Sequence, residues 1–206
     1  LFAAIVNQEL YVWGGFNYDP PCTYDDGYRL SRHGATWSWK TMPRLPWRIT
    51  SAAAAVIGSK IYVCGGADFD AKVGYYTDTD RDLKLPRLGA RLLVLDTQKL
   101  DGGWKELPQF PGTPRFGHAM QAIDGTIYII GGAARSQPYT VVDNWKLDPP
   151  TGKWTRLRDL PIASGNFPKS SNLVYANRYI LLPGGYQYGA VLNPDGTTRP
   201  PYGKPS

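Results

Sequence analysis

Four Gly-Gly pairs set the period of this chain, and each closes a short apolar run: Val12-Trp13-Gly14-Gly15, Val63-Cys64-Gly65-Gly66, Ile129-Ile130-Gly131-Gly132 and Leu182-Pro183-Gly184-Gly185. Successive pairs lie 51, 66 and 53 residues apart. Strand-sized apolar runs recurring at roughly 50 residues describe an array of like units. Each unit is too small to bury its own faces and is completed by its neighbours.

The repeat extends well beyond the glycines. Counting back 14 residues from the second glycine places Leu1, Ala52, His118 and Ser171 in one column without gaps. Between column and glycines each unit reads as strand, tight turn, strand. The second unit has Ala52–Val56 and Ile61–Val63, and the third has Ala119–Ile123 and Ile127–Ile130. The turns are Gly58-Ser59-Lys60, Asp124-Gly125-Thr126 and Ala176-Asn177-Arg178. Asp-Gly between β-rich runs is a strong hairpin signal, because both residues tolerate positive φ. A third strand is predicted at Arg91–Asp96 in the second unit and at Tyr139–Asp143 in the third. A Trp-marked fourth strand follows at Trp37–Lys40, Trp104–Leu107 and Trp154–Leu157, then Met42-Pro43, Leu107-Pro108 or Leu160-Pro161. Proline suits a chain leaving a sheet edge, since it donates nothing to the ladder.

Taken as a set, Gly65, Gly66, Trp104, Pro108, Pro114, Arg115, His118, Tyr128, Gly131, Gly132 and Trp154 resemble the kelch repeat, and the likeness runs through essentially the whole chain. The resemblance implies an all-β fold, a kelch-type β-propeller of four-stranded antiparallel blades around a central channel. The chain departs from the pattern in places. Only His118 carries the family's histidine, and Lys169 stands where the third unit has Phe116. One partial propeller over 1–206 is expected, with units at approximately 1–46, 47–112, 113–165 and 166–206. That makes about three and a half blades. Closing a ring removes exposed sheet edges, and kelch rings are expected to close with six or seven blades. The expectation is a fragment whose missing blades complete the ring in cis, with pairing of two half-rings as the alternative.

Composition narrows the function classes. With 42% hydrophobic and 13% aromatic residues the chain can build a core, and 23 Gly and 18 Pro fit many turns. No apolar window of roughly 18 residues occurs, so no membrane-spanning helix is expected. The net charge of +6 is scattered, with acids between Lys146, Lys153, Arg156 and Arg158. No run of like charges gives the footprint of nucleic-acid binding. Cys22 and Cys64 form neither a disulfide framework nor a metal motif.

Topology selects one rim. The first two strands of a unit are antiparallel, so the residues leading into the first strand and those following Gly-Gly lie at the same end of the blade. The lead-in segments Trp47–Ser51, Pro114–His118 and Pro168–Ser171 each carry a cation, namely Arg48, Arg115 and Lys169. Converging cations suit a carboxylate, Arg above all through its bidentate fork. The post-glycine segments add Asn17, Tyr18, Asp19, Arg135, Tyr186 and Tyr188. The longest, from Ala67 to Ala90, holds Asp68, Asp70, Tyr75, Tyr76, Asp78, Asp80, Arg81 and Asp82 and accounts for the 66-residue interval. A loop of that length is often functional. The alternating Asp78, Asp80 and Asp82 lack the glycine and terminal glutamate of a calcium loop, so no metal is expected. The candidate ligand-binding residues are Arg48, Arg115, His118, Lys169, Asp68, Tyr75, Arg135, Tyr186 and Tyr188. His33 and His118 are the only histidines, and no Gly-x-Ser-x-Gly elbow occurs, so no catalytic residue is assigned and no cofactor is expected. His118, in the first-strand column, suits packing better than proton transfer.

Two functions fit such a rim. Kelch domains commonly recognise a protein partner. The segments Met42–Arg48, Ala52–Val56 and Leu160–Ala163 are similar to bacterial kelch proteins of the N-acetylneuraminate epimerase and mutarotase kind. That resemblance implies a small acidic sugar held at the channel mouth, isomerase chemistry by proton movement, and a periplasmic or extracellular setting. The copper radical oxidases among kelch enzymes need a Cys-Tyr pair and two histidine ligands, a set this chain does not show.

Overall fold

A computed structural model describes residues 1–72, 74–76, 83–134, 140–161, 165, 173–182, 191–192 and 198–199. The first four-stranded antiparallel sheet joins β1 (Phe2–Val6), β2 (Glu9–Trp13), β3 (Gly27–His33) and β4 (Thr36–Met42) in chain order. The second joins β5 (Ala53–Ile57), β6 (Lys60–Cys64), β9 (Leu92–Asp96) and β10 (Lys105–Leu107). Between β6 and β9 the chain forms a separate hairpin of β7 (Asp68–Asp70) and β8 (Gly74–Tyr76). The third sheet is β11 (Ala119–Ile123), β12 (Thr126–Ile130), β13 (Asn144–Asp148) and β14 (Lys153–Arg156). Two short pairs follow, β15 (Leu173–Tyr175) with β16 (Tyr179–Leu181), and β17 (Val191–Leu192) with β18 (Thr198–Arg199). Three complete blades and the inner half of a fourth are thus described. First strands of successive blades touch, β5 meeting both β1 and β11, which puts them innermost.

Hairpin chemistry sets the register of each inner pair. Asp124 and Gly125 take φ of 48° and 74° between β11 and β12, the paired positive values of a type I′ turn. Ala176 and Asn177 do the same between β15 and β16, at 50° and 48°.

One element differs from expectation. The third strand of the third blade is β13, Asn144–Asp148, and not Tyr139–Asp143. Residues 140–143 are not part of it. The carbonyl of Val142 accepts from Leu160 N at 2.8 Å, just as Asp25 O accepts from Leu45 N and Ala90 O from Phe110 N, also at 2.8 Å. This repeated bond places Val142 two residues ahead of the strand, as Asp25 and Ala90 are ahead of β3 and β9. The β-branched Val141-Val142 pair imitates a strand, but the ladder to β12 begins at Asn144.

Alternation along the strands feeds two cores from one sheet. Ile61, Val63, Leu93 and Leu95 of the second blade pack on Phe2, Val6, Tyr11 and Trp13 of the first. Tyr62, Cys64 and Leu92, on the opposite face, pack with Met120, Ile127, Ile129 and Leu147 of the third. Trp13 meets Trp104 edge-on at 5.1 Å in the first core, and Phe110 meets Trp154 at 5.3 Å in the second. Both thiols, Cys22 and Cys64, are free and buried, and burial pushes the Cys64 thiol up to about 12. Among the described residues no helix is long and apolar enough to cross a membrane.

Candidate functional site

The rim at the glycine-pair end is built from main-chain bonds. In the second blade Thr50 and Ala67 exchange two hydrogen bonds of 2.8 Å, and in the third Phe116 and Ala133 exchange two of 2.9 Å. Each lead-in segment therefore pairs with the post-glycine segment of its own unit, at the same end of the blade. The glycine pair then receives the next blade. Gly15 N donates to Ile49 O at 3.1 Å, and Gly66 N to Arg115 O at 2.8 Å. A Cβ on Gly65 would stand 2.5 Å from His118 Cε1 and 2.7 Å from Arg115 O, and φ there is +68°. Only glycine meets both demands.

These bonds align Ile49 with Arg115, so Arg48 is one residue out of register with Arg115. The two cations have different surroundings. Arg115 is fully buried. Its Nη2 donates to Asp143 Oδ1 and Oδ2 at 2.6 and 2.8 Å, its Nη1 to Gly131 O and Asp143 O at 2.9 and 3.2 Å, and its Nε to Thr113 O at 2.9 Å. Five bonds engage the five N–H donors of a guanidinium. The group also lies 4.7 Å from the Phe110 ring. Burial lowers its pKa, and Asp143 opposes that shift. The expectation of an Arg115 fork open to a ligand carboxylate is therefore corrected, because a carboxylate of the chain itself already fills it. Arg48 is half-buried on the lead-in segment.

The remaining expected residues are distributed as follows. His118 is 2% exposed and wedged between glycine pairs of neighbouring blades, since a Cβ on Gly132 would lie 2.8 Å from His118 Cβ. Asp68 is buried, with Oδ1 accepting from Phe69 N at 2.8 Å. Tyr75 pairs through its backbone with Phe69 in the β7–β8 hairpin, and its side chain lies outside the described residues, as does that of Tyr76. Lys169, Arg135, Tyr186, Tyr188, Asp78, Asp80, Arg81 and Asp82 also lie outside the described residues. Asn17 Nδ2 donates to Tyr24 Oη at 2.6 Å.

The structure brings together a group that sequence reasoning missed. The β7–β8 hairpin reaches back over the first blade, where Thr23 Oγ1 accepts from Phe69 N at 2.9 Å and donates to Phe69 O at 3.2 Å. A side chain here imitates a β-ladder. It holds Phe69 against Phe16 at 4.7 Å and Tyr18 at 5.6 Å between ring centroids, and Phe16 meets Tyr18 at 6.0 Å. Phe69 is buried, whereas Phe16 is 38% and Tyr18 71% exposed. The result is a supported aromatic surface on the rim that offers ring faces and edges to a ligand. Its signal in the sequence was an aromatic residue soon after a glycine pair in both units, Phe16 and Phe69. The span across two units was not legible there.

Radial blades, a glycine-lined inner edge and loops gathered on one rim define a β-propeller of the repeat class. The chain belongs to the kelch-repeat family: the family model described as "KLHDC2/KLHL20/DRC7 Kelch-repeats domain" matches residues 2–194. It is similar to the N-acetylneuraminate epimerase of Pasteurella multocida (strain Pm70), 27% identical over 221 residues that cover 93% of this chain and 57% of that protein. It is also similar to human Kelch repeat and BTB domain-containing protein 13, 28% identical over 137 residues, 64% of this chain and 25% of that protein. Among solved structures, one described as "Structure of YjhT" superposes with a TM-score of 0.58 at 16% identity, covering 80% of this chain and 52% of that one. The chain therefore spans between a quarter and somewhat over half of the length of these proteins.

Proposed function

We propose that the glycine-pair rim binds an acidic sugar, with the Phe16–Tyr18–Phe69 surface stacking on the sugar ring. The observation that carries this reading is the aromatic surface itself, held rigid by the paired Thr23–Phe69 bonds. The likeness to N-acetylneuraminate epimerases over 93% of the chain supports the substrate class. In this reading the sugar carboxylate goes to the other lead-in cations of the sequence, Arg48 and Lys169, the latter outside the described residues. Isomerase chemistry is the catalytic extension of this reading: the anomeric hydroxyl loses a proton as the ring oxygen gains one, the ring opens to the ketone, and it recloses on the other face.

A second reading, a rim that docks a protein, is favoured by a specific observation. Tyr18 and Phe16 are exposed, and exposed aromatics are frequent anchors of protein interfaces. Saturation-transfer NMR with N-acetylneuraminate separates the two. Transfer to the sugar ring protons that is lost in Tyr18→Ala and Phe16→Ala supports the sugar. Absence of transfer together with absence of anomer exchange removes it in favour of the protein partner.

A further inference from the structure

We infer that a second binding site, for a small organic phosphate, lies at the opposite end of the blades between the second and third sheets. β6 begins at Lys60 and ends at Cys64 beside the glycine pair, so Lys60 marks the end remote from the aromatic rim. A cavity of about 540 Å³ opens there, within the range of small-molecule sites.

The register explains how the cavity is lined. Lys60 pairs with Asp96, and Tyr62 pairs with Val94, which in turn pairs with Lys105. These residues share the sheet face turned toward the third blade. The chain after β9 turns back to bring Lys99 over the same face, and Pro149, from the β13–β14 turn, walls the cavity from the third blade. Three lysines and one carboxylate therefore line the cavity. That carboxylate is already engaged, since Asp96 Oδ1 accepts from Ser59 Oγ at 2.8 Å and from Gln98 N at 3.0 Å. Asp101 stands on the adjoining turn but does not line the cavity. Among the described residues none of the three lysines makes an ion pair.

Tyr62 also lines the cavity, and its hydroxyl, which makes no hydrogen bond among the described residues, is available to donate to a ligand there. The chemistry of the cations selects the ligand class. All three are lysines, which bind phosphate as convergent point charges, whereas planar carboxylates are matched by arginine forks. The volume exceeds that of a bare phosphate. Tyr62, Val94, Leu107 and Pro149 give apolar surface for an organic body.

Phenyl phosphate is the probe, titrated into the full chain by calorimetry and by 31P NMR. Binding is expected, weaker at higher salt. Phenol is expected not to bind, and inorganic phosphate to bind roughly tenfold more weakly for want of the apolar contact. The triple variant Lys60→Gln, Lys99→Gln, Lys105→Gln replaces only exposed side chains and is expected to lose about a hundredfold in affinity. Tyr62→Phe is expected to weaken binding severalfold with the fold intact. Three results overturn the site: no binding of phenyl phosphate, unchanged affinity in the triple variant, or an equal loss when Lys40, Lys72 and Lys153 outside the cavity are replaced instead. Capture by phosphatidic acid vesicles without binding of soluble phenyl phosphate overturns the small-molecule assignment.

Discussion

At the scale of single residues, Arg115 shows why a charged residue facing a channel in the sequence can be part of the scaffold. Its side chain is 1% exposed and that of Asp143 is 16% exposed. A buried cation deprived of its partner is costly, so Asp143→Ala is expected to destabilise the fold by about 3–5 kcal/mol. Urea denaturation followed by tryptophan fluorescence checks this, and a loss below about 1 kcal/mol would contradict the clamp. Glu9 offers a pH test. Ser31 Oγ donates to its Oε1 at 2.5 Å, Tyr11 Oη to Oε2 at 3.0 Å, and Arg29 lies 3.3 Å away. The Ser31 bond, opposed by burial and aided by Tyr11 and Arg29, holds the Glu9 carboxyl below its ordinary range. A carboxyl depressed in the folded state stabilises it above the unfolded pKa, and that stability is lost as pH falls through the folded value. Ser31→Ala is expected to destabilise at neutral pH and to leave a shallower loss of stability below about pH 4.5. Melting temperatures between acidic and neutral pH measure this, and an unchanged slope would argue against the bond.

At the scale of elements, the inner hairpins and Trp strands were legible because their alternation and turn residues agree with their final environment. Local and global preferences point the same way in Asp124-Gly125 and in Ile127–Ile130. The third strand of the third blade was misplaced because Val141-Val142 has strand propensity without a ladder partner, whereas Trp145-Lys146-Leu147 has the partner. Propensity is local, and pairing is not. The candidate site was legible only as a rim. The fates of Arg115 and of Phe69 depend on Asp143 and Thr23, residues 28 and 46 positions away in the chain. The Thr23 tether gives a prediction at this scale. Thr23→Val removes both bonds to Phe69 and is expected to cost about 1–3 kcal/mol locally. Hydrogen exchange should show faster labelling of 68–76 with β5, β6 and β9 unchanged, and sugar or partner binding at the rim should weaken. Unaltered exchange of Phe69 would show that the tether does not order the hairpin.

At the scale of the whole molecule, the blades share their interiors. Ile61 belongs to the core between the first and second sheets, and Ile129 to the core between the second and third. Both side chains are fully buried. Ile61→Ala and Ile129→Ala are each expected to cost about 2–5 kcal/mol. The second sheet is common to both cores, so either change should shift one cooperative transition rather than melt a single blade. Two resolved transitions by calorimetry in either variant would show that the blades unfold separately.

The glycine pairs have a consequence for how such a molecule diversifies. Neighbouring blades are seated through main-chain atoms, Gly15 N on Ile49 O and Gly66 N on Arg115 O, with the glycines admitting the approach. A join made of backbone is indifferent to most side chains around it. Insertions between β6 and β9, such as the hairpin that carries Phe69, can lengthen or change chemistry while the angle between blades stays the same. The architecture works as a fixed chassis with interchangeable rim parts, and mutational tolerance should therefore rise steeply from the glycine pairs to the loop tips beyond them.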